Sequence, residues 1–233
     1  MPKRSPRELP GRKVRRLVDL SHTVEDGCVT YPGLPAPVIG VHLGRAASRP
    51  HYAEGTEFQI DTIQMVGNTG TYLDSPFHRY ADGSDLAGLD LASVADLDGV
   101  LVRAIARADR AVSPEAFDGL DVRGKAVLVH TGWDAHWGTE QYFTGHPFLA
   151  AGAVERLVRG GAALVGIDSL NIDDTAGGHR PAHTGLLAAG IPIVEHLCGL
   201  EGLPPRGFRL FAAPVKVARF GSFPVRAFAI VDG

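Results

Sequence analysis

With 233 residues, 45% of them hydrophobic and 21% charged, the chain is long enough to bury a substantial core and has the balance of a globular protein. A formal net charge of −3 offers no field for nucleic acid or an anionic membrane surface, and two cysteines, Cys28 and Cys198, build neither a disulfide framework nor a zinc motif. No stretch approaches the ~18 apolar residues of a membrane span, so a cytoplasmic setting without membrane or nucleic-acid partners is the expectation.

Basic residues crowd only the start, in Lys3, Arg4, Arg7, Arg12, Lys13, Arg15 and Arg16, where residues 1–13 read as a solvated, flexible tail and 14–233 as one domain. Val14 to Ser21 reads as the first strand, with Leu17, Val18 and Leu20 apolar. Thr30-Tyr31-Pro32-Gly33 is a turn with proline at a favoured position. Tyr31 is there either a pocket wall or a half-buried turn tyrosine. His42 to Glu57 reads as irregular, and Phe58 to Thr71 as a central strand segment running out into a loop.

That loop is Gly67-Asn68-Thr69-Gly70-Thr71-Tyr72-Leu73-Asp74-Ser75-Pro76-Phe77-His78. Alternation along a strand puts Asn68, Tyr72 and Asp74 on one face, with His78 just past the break at Pro76. A polar row ending in a carboxylate and an imidazole is what a metal or acid–base site requires. A hairpin edge with exposed polar residues would read the same way.

Leu89 to Leu97 is a short helix or an extended connection, Val100 to Ile105 a strand, and Ser113-Pro114-Glu115 a helix start through Phe117. Ala126 to His130 is a buried strand. Two tryptophans and several further rings follow between His130 and Phe148. They fit a pocket wall around Trp133, or else a satellite core under a long loop, with His136 and His146 packed rather than ligating. Leu149 to Arg159 has one apolar helix face and is stopped by Gly160-Gly161. Ala163 to Ile167 is a buried strand leading to the acidic loop Asp168 to Thr175, where caps and turn hydrogen bonds are favoured over a cation site. Glu195 ends the apolar run Ile191 to Val194, a costly place for a carboxylate without a cation or hydrogen bonds. Leu210 to Val217 and Phe223 to Val231 are read as two closing strands.

The segment around Asp74 resembles the signature of the cyclase family of metal-dependent hydrolases, which reads His-x-Gly-Thr-His-x-Asp-x-Pro-x-His and occurs in kynurenine formamidases and isatin hydrolases. Gly70, Thr71, Asp74, Pro76 and His78 match it, whereas Asn68 and Tyr72 stand where the family has two metal-binding histidines. A histidine before a Leu-Leu pair and a glutamate ending the next strand also match, as His183 and Glu195. The resemblance spans roughly Val14 to Val231. It implies an α/β fold of the swivelling β/β/α cyclase-like type, with a mixed central sheet and flanking helices, in homodimers or homotetramers. It further implies a divalent metal, zinc or manganese, on Asp74, His183 and Glu195, and His78 as general acid/base. The substrate would be a small aromatic or cyclic molecule carrying an amide, lactam or lactone. Losing two imidazoles leaves room for at most one ion and shifts preference from zinc toward manganese or magnesium, or toward no metal at all. Tyr72 and Asn68 could instead donate hydrogen bonds to a substrate carbonyl. The other class is a non-catalytic or metal-independent binder of small molecules.

Overall fold

Most of the apolar runs become strands of one nine-stranded sheet in a computed structural model, which describes residues 15–105 and 109–232. The basic stretch at residues 1–13 lies outside the described residues. In chain order the strands are β1 (Arg15–Asp19), β2 (Val38–Leu43), β3 (Ile60–Gln64), β4 (Tyr72–Asp74), β5 (Leu97–Arg103), β6 (Ala111–Val112) and β7 (Ala126–His130). They continue with β8 (Phe148–Leu149), β9 (Leu164–Ile167), β10 (Ile193–Glu195), β11 (Arg206–Phe211), β12 (Ser222–Pro224) and β13 (Phe228–Asp232). Among the described residues three α-helices accompany them: α1 (Arg45–Ser48), α2 (Ala151–Gly160) and α3 (Pro181–Ala188).

The main sheet runs β1-β13-β11-β5-β7-β9-β10-β4-β12. Strands β5, β7, β9 and β10 pair in parallel and the remaining pairs are antiparallel, so the sheet is mixed, as expected. Its middle strands are apolar on both sides because both sides are covered. Val127, Val129, Val165, Ile167 and Ile193 face a core shared with Ala153, Val154 and Leu157 of α2 and Ala182, Leu186 and Leu187 of α3. The intervening Ala126, Leu128, Leu164 and Val194 face a second core with Leu20, Leu97, Phe208 and Leu210. A Cβ on Gly166 would stand 2.7 Å from Leu197 Cδ1 and 2.8 Å from Leu128 Cδ2, so two buried leucine side chains would have to move to admit one. Helix α2 ends at Gly161, whose left-handed φ of 73° suits a residue without Cβ.

Four sequence expectations are corrected. Phe58 to Thr71 is not a central strand: only Ile60–Gln64 is extended, and it pairs with β2 in a separate two-stranded ribbon. The β-branched pattern is genuine, but its side chains face water rather than a core. His42 to Glu57 is less irregular than read, because β2 reaches Leu43 and α1 follows. Leu210 to Val217 is a strand only to Phe211, and starts earlier, at Arg206. Phe223 to Val231 divides into β12 and β13. Pro224 is accommodated because β12 is an edge strand.

Candidate active site

Register builds the site. Strand β4 lies between β10 and β12, with Tyr72 opposite Glu195 and Pro224, and Asp74 opposite Ile193 and Ser222. Directly opposed residues share a sheet face. Tyr72, Asp74, Glu195 and Ser222 therefore share a face with Ile193, the side on which α3 packs, and Leu73 and Val194 turn to the other core. The strand is only three residues long, so Asn68 reaches the site from a bend rather than from a common strand face. Gly70 takes a positive φ of 63° and donates its N–H to Thr30 Oγ1 at 2.7 Å, which anchors the turn carrying half-buried Tyr31.

His183, on α3, has its Nε2 3.6 Å from Asp74 Oδ2 and 3.8 Å from Glu195 Oε1. Both separations exceed a hydrogen bond. Asp74 Oδ2 is buried without a hydrogen-bond partner. Two ligands bound at about 2.1 Å to one tetrahedral ion stand about 3.4 Å apart, so this spacing fits a shared cation better than direct contact. The other nitrogen of His183 is held by Asp173 Oδ2 at 2.7 Å. Asp173 also accepts from the backbone N–H groups of Ala182 (2.7 Å) and His183 (3.0 Å), capping α3 from the acidic loop. The arrangement fixes which imidazole nitrogen faces the carboxylates, the support that metal-ligating histidines usually have. Asp74 and His183, and likewise His183 and Glu195, are thus spaced as two ligands of one ion would be. Asp74, His78 and His183 also offer ligand atoms within 4.8 Å of one another.

Electrostatics agree with a cation-seeking hole. Burial, reinforced by the like charge of Asp74 and opposed by His183, pushes Glu195 up to about 7. Burial works against the charged form of Asp74, but contacts with His183, His78 and Ser222 outweigh it and hold its carboxyl below the usual range. Burial likewise opposes protonation of His183, yet Asp173, Asp74 and Glu195 together raise its pKa well above that of free imidazole. Three carboxylates around one imidazole favour positive charge there, whether from a protonated His183 or from a bound cation.

The Tyr72 hydroxyl donates to Glu195 Oε2, with the Asn68 side chain within reach, and burial raises its pKa far above the ordinary phenol value. A phenol so held is a neutral donor, not a phenolate ligand. Ile172 N donates to the other oxygen, Oε1, at 2.7 Å.

His78 sits in the 3-10 turn Pro76–His78 with its side chain 35% exposed, while every other site carboxylate and imidazole is buried. Its Nδ1 lies 2.8 Å from Ser222 Oγ, and Ser222 donates to Asp74 Oδ1. With its proton committed to Asp74, Ser222 Oγ accepts from Nδ1–H, which leaves Nε2 as the basic nitrogen. Asn68, Phe77, His78, Phe220 and Ser222 line a cavity of about 240 Å³.

A larger cavity of about 600 Å³ is lined by His22, Cys28, Glu25, Trp137, Glu140 and Phe143. Trp133, the tryptophan read as a pocket wall, instead donates its Nε1–H to Tyr142 O at 2.9 Å, and Trp137 takes the wall position, stacked on His22. His146 is buried and bonded to Asp173 O, and the acidic loop is used as expected for caps and turns, Asp168 accepting from Thr131 and Gly132. Sequence reasoning missed Ser222 and Asp173 as individuals. Asp173 could have been found as an acidic residue shortly before a helix start. Ser222 lies between Gly221 and Phe223 and carries no such signal.

The chain is similar to known proteins over most of its length. The Cyclase family model matches residues 18–174. The kynurenine formamidase of Geobacillus thermodenitrificans (strain NG80-2) is 26% identical over 218 residues, covering 90% of this chain and 95% of that protein. That of Polaromonas naphthalenivorans (strain CJ2) is 27% identical over 220 residues, covering 91% and 89%. In fold, the chain is similar to an isatin hydrolase bound to the product analogue thioisatinate, with a TM-score of 0.79, 22% identity, and 94% and 93% of the two chains covered. Isatin hydrolase A from Labrenzia aggregata bound to benzyl benzoate gives a TM-score of 0.80 at 22% identity, with 94% of each chain covered. The chain belongs to the cyclase family of metal-dependent hydrolases, as an arylformamidase-like enzyme.

Proposed function

We propose that the chain hydrolyses an amide, lactam or lactone bond in a small aromatic or cyclic molecule. Asp74, His183 and Glu195 would hold one divalent ion, and His78 would act as general acid and base. The observation that carries this reading is the convergence of His183 Nε2 on two buried carboxylates, one with an unpartnered oxygen, beside a partly exposed histidine. A zinc or manganese ion held there would supply Lewis-acid polarisation of the scissile carbonyl. The rest is done by side chains. His78 Nε2 takes a proton from the attacking water as the C–O bond forms, and returns it to the leaving nitrogen, or to the alkoxide of a lactone, as the old bond breaks. Ser222 keeps Nδ1 protonated during both transfers. Asn68, at the cavity wall, offers its amide N–H to the substrate carbonyl, since the Tyr72 hydroxyl is already given to Glu195. The reading includes one catalytic domain over 14–233, a cytoplasmic setting and a homodimer or homotetramer. Among the described residues no helix is long and apolar enough to cross a membrane.

The test is to assay purified protein against N-formylkynurenine, isatin and simple lactones, with and without added manganese, alongside His78→Ala. Turnover that falls roughly 10²–10⁴-fold in the variant, at unchanged metal content, is the expected result. Persistent activity with reduced metal content would make His78 a ligand instead. One observation favours a second reading, metal-independent binding: Tyr72 in place of an imidazole ties up a Glu195 oxygen. Absence of turnover on every substrate, together with thermal stabilisation by one of them in the presence of a chelator, would establish it.

A further inference from the structure

The larger cavity, about 600 Å³, falls within the size range of small-molecule sites, whereas the one beside His78 is about 240 Å³. Its lining combines two kinds of group. Trp137, His22 and Phe143 present rings, and Glu25 and Glu140 present carboxylates. Trp137 is held from several sides. It is stacked on His22 with centroids 4.0 Å apart, and stands edge-on to Tyr142 at 5.1 Å and to His196 at 5.7 Å. Tyr142 is itself fully buried, with its hydroxyl 2.9 Å from His196 Nδ1, so the wall is built before any ligand arrives. Both glutamates are exposed, and among the described residues neither carboxylate makes a hydrogen bond or an ion pair. Among those residues no lysine or arginine lines the cavity, and burial pushes His22 down to about 4, so its ring is neutral near pH 7. The charge facing the cavity is negative.

We propose that this cavity binds an organic ammonium ion, a cationic amine carried on an aromatic or alkyl body. The lining selects that chemistry by elimination. A ligand bearing a carboxylate or phosphate would meet two like charges and no cation. A neutral aromatic would use the rings and leave the glutamates without a partner. A hydrated metal ion would use the glutamates and gain nothing from the indole. An ammonium on an apolar body uses both, through attraction to the carboxylates and to the face of tryptophan, the ring that holds cations best. The two cavities share no lining residue, and a line of rings connects them. Trp137 leads to His196, His196 lies 5.2 Å from Tyr72, and Tyr72 donates to Glu195. Occupancy requires neither metal nor turnover, so the ammonium site stands or falls apart from the hydrolase reading.

The test is calorimetric titration of the full chain with phenethylammonium chloride and with its neutral counterpart, phenethyl alcohol, repeated on Glu25→Gln/Glu140→Gln. The expected result is a Kd at or below about 1 mM for the ammonium, and weaker binding of the alcohol by about tenfold or more. The double variant should lose a similar factor for the ammonium and none for the alcohol. Raising sodium chloride from about 50 to 500 mM should weaken the ammonium alone. Absence of binding up to about 10 mM, equal affinity for the two compounds, or an ammonium affinity unchanged in the double variant overturns the proposal. Should the variant misfold, the native chain decides through Cys28, which lines the same cavity. Its alkylation by iodoacetamide, followed by mass spectrometry, should be roughly halved at an ammonium concentration equal to Kd and unaffected by the same concentration of alcohol. An alkylation rate indifferent to the ammonium overturns the assignment.

Discussion

At the scale of single residues, the site depends on groups that touch the reacting centre only through others. Ser222 is the clearest case, because its one hydroxyl answers Asp74 and His78 together. Ser222→Ala is expected to lower turnover about 10–100-fold by freeing the His78 ring to adopt the wrong tautomer, and Ser222→Thr should restore most of it. An unchanged steady-state rate in the alanine variant would show that His78 orients itself. Asp173 does the same for His183. Asp173→Asn keeps an acceptor for the α3 N–H groups but loses the charge behind Nδ1, so manganese or zinc affinity measured by calorimetry should fall about 10–100-fold while the helix content holds. Asp74, His183, Glu195 and His78 were singled out in the sequence because they match a family's motif residue by residue. Ser222 was not, since its role arises from lying opposite Asp74 in the register, a relation between residues that the linear chain does not display.

Among elements, close backbone approach sets the position of His78. A Cβ on Gly221 would stand 2.7 Å from His78 Cα and 2.8 Å from its N, and one on Gly67 would collide with Ser222 O at 2.2 Å. Backbone cannot yield as a flexible side chain does. Gly221→Ala is therefore expected to cost about 1–3 kcal/mol in denaturant unfolding and to depress turnover further than that loss explains. Equal stability and rate would show that the 3-10 turn shifts freely. Element legibility divided along burial. The runs that became β7, β9 and α2 were readable because burial on both sheet faces, or along one helix face, imposes its own period. Ile60–Gln64 has the same β-branched composition as a core strand yet is exposed along its length. Composition sets which residues tolerate an extended backbone; which of them reach the core is decided by partners distant in sequence.

For the whole molecule, an ion held as proposed would make the site a clasp, since Asp74 comes from β4, Glu195 from β10 and His183 from α3. An ion that binds only the folded chain stabilises it by about 2.7 kcal/mol at a hundredfold excess over Kd. For a protein of this size that amounts to roughly 5–10 °C in Tm. Saturating manganese should raise Tm by that amount, a chelator should reverse it, and His183→Ala should abolish the response. The edge of the sheet carries a different demand. Among the described residues strand β1 pairs only with β13, and Ser21 Oγ accepts from Ala227 N across 206 residues of sequence. During synthesis, then, the first strand of the described sheet waits unpaired until its partner clears the ribosomal exit tunnel. Leu20, fully buried at the end, spends the whole of translation exposed to water. The sheet can close only after β13 has emerged, which makes the nascent chain slow to mature and exposed to aggregation in the interval.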